Sequence, residues 1–300
     1  MVVDGAKIYD NDSVKMISAD EMVLTFSLKS LITEKDIALK EAWIDGADVN
    51  LRQVDSVGLN IVKWVEKIAQ ISASNDSIPA DPAFFAIKKI SLINSQFSIS
   101  DNSKDSIDIG FDFNHFRLKA INADLLNLKS VKDTFQLDVS HLSTYDEKTG
   151  LEISRLSTYF NVSNKGMAFY DLDLNMGDTH VKDSVVFRYD KPSHMSYFID
   201  SVNISANFDK TILHSNELSL FAPDLKSFDD KVEISGYFTG TVTSFYSDNF
   251  NLKLGENTNL SGALEIDGLP EINETLFSVG LSNSSFKATD FENHLSDRPF

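Results

Sequence analysis

Val232-Glu233-Ile234-Ser235-Gly236-Tyr237-Phe238, running on to Val242, sets its apolar residues at every second position with polar ones between them. Successive side chains of a strand point to opposite faces, so the stretch turns one oily row towards something dry and one polar row towards water. The same period recurs along the chain. It is cleanest at Ile107, Ile109, Phe111 and Phe113, spaced by Asp108, Gly110 and Asp112, which predicts a strand there. Further copies stand at Phe135, Leu137 and Val139, at Val202, Ile204, Ala206 and Phe208, and at Phe250, Leu252 and Leu254. Leu264 with Ile266, and Phe277 with Val279 and Leu281, repeat it, and Phe286 with Ala288 begins another. The alternation predicts about a dozen strands joined by short polar turns.

Turn chemistry falls where that reading needs it. Asp45-Gly46, Thr149-Gly150, Asn164-Lys165-Gly166, Met176-Gly177-Asp178 and Asp267-Gly268 supply residues that tolerate positive φ. Proline is scarce, and Pro79, Pro82 and Pro223 mark loops, leaving the strands intact. One segment departs from the pattern. Ile61, Trp64, Val65 and Ile68 lie at helical spacing after Asn60, which predicts a short amphipathic helix near residues 60–70 with Asn60 as its N-cap. The Ser-, Asn-, Asp- and Pro-containing stretch after it reads as a linker over 73–82, giving a β unit over 1–72 and a repeated-strand segment over 83–300. A single sheet interrupted by a helical insertion fits the pattern as well.

The chain has 300 residues, 42% of them hydrophobic and 24% charged, a balance that supports a folded core. Its 22 phenylalanines against 2 tryptophans favour pleated, half-buried strands. A formal charge of −18 repels phosphate backbones and anionic headgroups, which excludes nucleic acid as a natural partner. Such a charge is compatible with a lipid held by its tails in an uncharged groove. With no cysteine, thiol chemistry, disulfides and sulfur metal sites fall away. No apolar run reaches the ~18 residues of a membrane span, and Met1 to Asp10 lacks a secretory pattern. We expect a fragment whose targeting segment lies upstream.

Ordinary catalytic signatures are missing from the pattern: there is no G-x-S-x-G, no P-loop and no G-x-G-x-x-G. His115, His141, His180, His194, His214 and His294 are scattered with no i,i+4 pair to seat a metal, and read as surface or strand-edge residues. Asp171, Asp173, Asn175 and Asp178 approach a calcium loop, but the glycine falls late and Lys182 stands where a bidentate Glu is needed. Leu172, Leu174 and Met176 instead alternate as in a strand. Seven Asn-x-Ser/Thr triplets, such as Asn203-Ile204-Ser205, follow from the abundance of Asn and Ser. We therefore expect no catalytic residue, no metal and no cofactor.

Two stretches near the N-terminus, Met22-Val23-Leu24-Thr25-Phe26-Ser27-Leu28-Lys29-Ser30-Leu31-Ile32 and Ile37 to Leu51 with its Ile44-Asp45-Gly46-Ala47-Asp48-Val49-Asn50-Leu51 ending, resemble the N-terminal repeat of AsmA-like proteins. That family follows such strands with an Asn-led helix, matched here by Leu59-Asn60-Ile61-Val62. Ile90 to Asp101 looks like a second unit, and Leu260-Ser261-Gly262-Ala263-Leu264-Glu265-Ile266-Asp267-Gly268-Leu269-Pro270 resembles a strand of TamB-like translocation and assembly module proteins of the Bacteroidota type. The resemblance implies a mainly β fold with a long, curled, antiparallel or mixed sheet forming an open, taco-like groove. It also implies a periplasmic location with an inner-membrane anchor upstream. The associated roles are phospholipid transport and outer-membrane protein assembly, with an outer-membrane barrel partner engaged through regions absent here.

On that reading the groove is lined by the apolar phase of the best strands: Phe111, Phe113, Ile204, Phe208, Ile234, Phe238, Leu252, Leu254, Val279 and Leu281. Phospholipid acyl chains would lie along these side chains while headgroups stay in water. The competing expectation is a β-sandwich binding module, for carbohydrate or a protein partner, in which the same residues fill a core.

Overall fold

The computed structural model describes residues 1–26, 39–54, 58–61, 85–131, 133–221, 223, 226, 231–269, 271, 274–287 and 290. The first strands are β1 (Val2–Tyr9), β2 (Lys15–Phe26), β3 (Leu39–Asp45), β4 (Asp48–Val54), β5 (Gly58–Leu59), β6 (Phe85–Ser100), β7 (His115–Val131) and β8 (Thr134–Asp146). They are followed by β9 (Glu152–Ser163), β10 (Gly166–Met176), β11 (Thr179–Arg188), β12 (Asn203–His214), β13 (Lys231–Gly240), β14 (Ser244–Leu254), β15 (Thr258–Asp267) and β16 (Leu276–Leu281). Among the described residues, helix takes in a 3-10 turn at Pro192–Tyr197, two single turns, α1 (Phe198–Ser201) and α2 (Ser215–Leu218), and the pair Asn60 and Ile61. The fold is mainly β: one 16-stranded sheet runs β16 back to β6 in sequence order, then β3, β2, β4 and β5, with β1 on β2.

A meander of hairpins explains most of that order, because each short polar turn returns the chain beside the strand it has just left. The turns expected at Thr149-Gly150, Asn164-Lys165-Gly166, Met176-Gly177-Asp178 and Asp267-Gly268 all fall between consecutive strands. Asp45-Gly46 behaves differently. β3 and β4 both run parallel to β6, at Glu41↔Lys89 through Asp45↔Ile93 and at Asp48↔Gln96 through Arg52↔Ser100. The chain therefore continues in one direction through Gly46, whose φ of 62° makes a kink instead of a reversal. Buried Ser95 stitches the kink by accepting from the Ala47 N–H at 3.2 Å.

The structure corrects the strand expected at residues 107–113. This segment lies in the loop before β7, and Ile107, Ile109 and Phe113 are exposed. Asp112 is the reason. Its carboxylate is 2% exposed and accepts from Ser106 Oγ at 2.9 Å and from the N–H groups of Ile107, Asn114 and His115 at 3.0 to 3.1 Å. Local side-chain bonds of this kind compete directly with a ladder, and here they win. Phe111 still reaches apolar company, its ring 5.3 Å from Phe116, which in turn lies 5.9 Å from Phe97.

Of the helix expected near residues 60–70, Asn60 and Ile61 are helical and the remainder lies outside the described residues, as does the 73–82 linker. Asn60 is 3% exposed and ties strands together: its Nδ2 donates to Asp10 at 3.1 Å, and its Oδ1 accepts from the Arg52 N–H at 3.2 Å. The chain falls into two compact units, Met1–Leu156 and Ser157–Phe300. In the first, the apolar side chains of β6 and β7 face one another across register pairs such as Ile90↔Leu125 and Ile99↔Phe116.

Candidate functional site

In the second unit, register turns separate alternations into one surface. Residues directly opposite in an antiparallel pair share a face, so Ile204↔Gly240, Gly240↔Phe245, Phe245↔Ile266 and Ile266↔Phe277 form a single row across β12 to β16. Phe208↔Gly236, Gly236↔Phe250, Phe250↔Gly262 and Gly262↔Leu281 form a second row on that face. Ile234↔Leu252 and Val232↔Leu254 extend it further, and Leu264↔Val279 completes it at the last strand. Eight of the ten expected lining residues therefore share one apolar face: Ile204, Phe208, Ile234, Phe238, Leu252, Leu254, Val279 and Leu281. Phe111 and Phe113 belong to the first unit and sit in the loop described above.

Packing across this face is uneven. Phe238 is fully buried, stacked on Phe245 at 5.6 Å and tilted against Phe208 at 5.7 Å, so it is core. Leu254 is also buried, at 8% exposure, whereas Ile204, Phe208, Ile234 and Leu252 are half-buried. Val279 and Leu281 are 48% and 54% exposed. A two-layer sandwich would bury all of these rows against a second sheet. Among the described residues, all the strands belong to one sheet.

The face is shaped by a line of β-bulges. Register shifts fall between Phe169 and Leu172, His180 and Asp183, Phe208 and Thr211, Gly236 and Thr239, and Ser247 and Phe250, at neighbouring levels of β10 to β14. Bulges bend a strand and increase its twist, and a row of them creases the sheet. Gly236 and Gly262 occupy the crease with φ of 132° and 151°. A Cβ at Gly236 would lie 2.5 Å from the Asn249 carbonyl oxygen, so the close approach requires glycine. Phe208 and Phe250 flank it.

Aromatic residues that the best alternations did not single out extend the surface. Phe160 and Phe169 lie 5.0 Å apart, Phe169 and Phe187 6.3 Å, and Phe187 and Phe198 of α1 5.4 Å. The excess of phenylalanine was the only sequence signal for them. Among the described residues the two best-defined clefts lie in the first unit, about 640 and 440 Å³ in volume, and none of the ten expected lining residues forms their walls. The smaller has largely polar walls, whereas the larger sets Val14, Leu51, Ile99 and Phe116 among charged and polar side chains. Cations there are matched by acids, with Lys15 bound to Asp48 at 3.1 Å and Arg52 to Asp10 at 2.9 Å. Burial opposes the charge on Asp10, but hydrogen bonds from Arg52, Asn60, Val14 and Asp12 outweigh it and hold the pKa down to about 2.

Three elements bring together a group that linear spacing could not show: Asp178 of the β10–β11 turn, His214 at the end of β12 and Glu217 of α2, their ligating atoms within 4.8 Å of one another. These residues could hold a divalent cation. The hydrogen bonds favour a structural clasp, because His214 Nδ1 accepts the Asn216 N–H at 3.3 Å. Glu217 accepts from Thr179 Oγ1 at 3.1 Å and the Asp178 N–H at 3.3 Å. Gly177 leaves the room that carboxylate needs, since a Cβ there would meet it at 2.3 Å.

No family model, curated protein or solved structure matches this chain. Among the described residues no helix is long and apolar enough to cross a membrane. The functional reading therefore stands on the geometry of the apolar face and on the sequence resemblance.

Proposed function

We propose that this chain is a non-catalytic segment of a periplasmic, AsmA/TamB-like envelope protein, tethered upstream to the inner membrane, whose apolar sheet face carries phospholipid acyl chains between the inner and outer membranes. The observation that supports this most is the continuity of that face across β12 to β16, with half-buried Ile204, Phe208, Ile234 and Leu252 and exposed Val279 and Leu281. Each methylene moved from water onto such a face is worth about 0.8 kcal/mol, so an acyl chain is held without hydrogen bonds and slides without breaking any. A charge of −18 keeps the polar surfaces off anionic headgroups and leaves tail contacts as the attractive term.

Substituting Ile234→Lys together with Leu252→Glu tests the reading. The two positions are register partners, so the introduced charges pair across the strands while the face turns polar. Native mass spectrometry of the protein incubated with phosphatidylethanolamine vesicles is expected to show bound lipid in the parent and none in the double variant, with equal far-ultraviolet circular dichroism. Equal lipid occupancy in both proteins would reject the face as the carrier.

A further inference from the structure

One polar row crosses five strands of the first unit. Ser18↔Asp48 and Asp48↔Gln96 are register partners, and Lys119↔Tyr145 continues the row to β8. Gln96 and Lys119 flank the Phe97↔Leu118 pair and so share the face opposite to it. These five side chains, with Asp20 and Asn94, wall the cleft of about 440 Å³. Bulges shape it: the β6–β7 register shifts on both sides of Ser95, the β7–β8 register shifts after Lys119, and Asn94 and Ala120 take φ of 45° and 49°. Gly46 leaves room for the Asp20 carboxylate, which a Cβ there would strike.

Unspent hydrogen-bonding capacity sets this cleft apart. Its ion pairs are made, Lys15 holding Asp48 at 3.1 Å and Lys119 holding Glu147. Among the described residues, the side chains of Ser18, Asp20, Asn94, Gln96 and Tyr145 bond to no other protein group. In the larger cleft such groups satisfy one another, Ser98 donating to Asn50 at 2.8 Å and His115 pairing with Asp112 at 3.2 Å. A carboxylate, two carboxamides and two hydroxyls around one space offer acceptors and donors together, the mixture that sugar hydroxyls require. Tyr145, 40% exposed, adds a ring for the C–H face of a sugar. Charge narrows the ligand. Two lysines stand against two aspartates in the walls, and a chain at −18 repels anionic polymers. Ala120 is the one aliphatic side chain among the described walls, so apolar peptide or acyl groups find no seat.

We propose that this cleft binds a neutral oligosaccharide. Lys15 and Asp48 also wall the larger cleft, so the groove runs on and favours a glycan chain over a single sugar. Every wall residue belongs to the Met1–Leu156 unit and none to the apolar face of the second, so glycan binding does not depend on the lipid reading.

Isothermal titration calorimetry with maltohexaose, cellohexaose, chitohexaose and mannohexaose tests the proposal. At least one of these neutral hexasaccharides is expected to bind saturably with a Kd below about 1 mM, and its disaccharide roughly fivefold more weakly. Hexagalacturonate, an anionic counterpart, is expected not to bind. Tyr145→Ala and Asp20→Ala are each expected to weaken binding roughly tenfold, while Tyr145→Phe keeps the ring and stays within about threefold of the parent. Both positions are exposed, so circular dichroism of the variants should match the parent. The Ile234→Lys/Leu252→Glu protein is expected to bind the glycan as the parent does. Silence of all the neutral hexasaccharides, unchanged affinity in Tyr145→Ala and Asp20→Ala, stronger binding of hexagalacturonate, or loss of the glycan in the Ile234/Leu252 variant would each overturn it.

Discussion

Asp112 shows how one side chain overrides a pattern. Ile107 to Phe113 alternates as cleanly as any strand in the chain, yet the carboxylate between the two phenylalanines collects the surrounding N–H groups and holds a loop. Its burial opposes the charge, and the donations from Ser106, Ile107, Asn114 and His115 outweigh that opposition, lowering the pKa from 3.8 to about 2. A carboxylate depressed in the folded state stabilises fully above its unfolded value of about 4, and that contribution is lost as pH falls towards 2. Asp112→Ala removes the acceptor and strands several buried donors, so urea denaturation at pH 7 is expected to show a loss of about 1–3 kcal/mol. Gly236 makes the opposite kind of demand, for the absence of a side chain. Gly236→Ala is expected to cost about 1–3 kcal/mol by the same measurement, because the new Cβ meets the Asn249 carbonyl in a backbone conformation that L residues avoid.

At the scale of elements, the loop over 101–114 is held to the sheet by Asp112 on one side and by the Phe111 ring on the other. The two attachments can be separated. Phe111→Ala is expected to leave the Ile107 and Asn114 amides protected, since their bonds run to Asp112, whereas Asp112→Asn is expected to raise amide exchange at both. Hydrogen exchange read by mass spectrometry distinguishes the outcomes. The strands themselves were legible wherever neighbouring alternations could pair: β8, β12, β13, β14, β15 and β16 stand where the period placed them. The Leu172, Leu174 and Met176 phase correctly outweighed the calcium-loop likeness, because β10 runs through it. The parallel passage of β3 and β4 along β6 was not legible, since nothing local distinguishes the Gly46 kink from a hairpin turn.

At the scale of the whole molecule, charge and acid response are unevenly distributed. Asp10 and Asp112, the two carboxylates lowered to about 2, both belong to the Met1–Leu156 unit. Each shift of roughly two units corresponds to about 2–3 kcal/mol, so acidification from pH 5 to pH 3 withdraws stability chiefly from that unit. Hydrogen exchange across that range is expected to deprotect β2, β6 and β7 before β13 and β14. Equal loss in both units would show that these carboxylates do not govern the acid response. The apolar face of the second unit rests on packing and register, so the lipid occupancy proposed for it should persist over the same interval.

Composition and period, taken alone, determined that this is a mainly β chain of many strands with one oily phase, because alternation is a local property that every strand declares for itself. They also disfavoured nucleic acid through the excess of acidic residues. Only the tertiary structure decided which oily rows share a face, because register depends on pairing between strands far apart in sequence. It united Ile204 with Phe277 through three intervening strands and removed Ile107–Phe113 from the sheet. The physical reason is the same in both cases: a strand forms where its backbone finds a partner, and Asp112 had already satisfied the backbone that the period assigned to one.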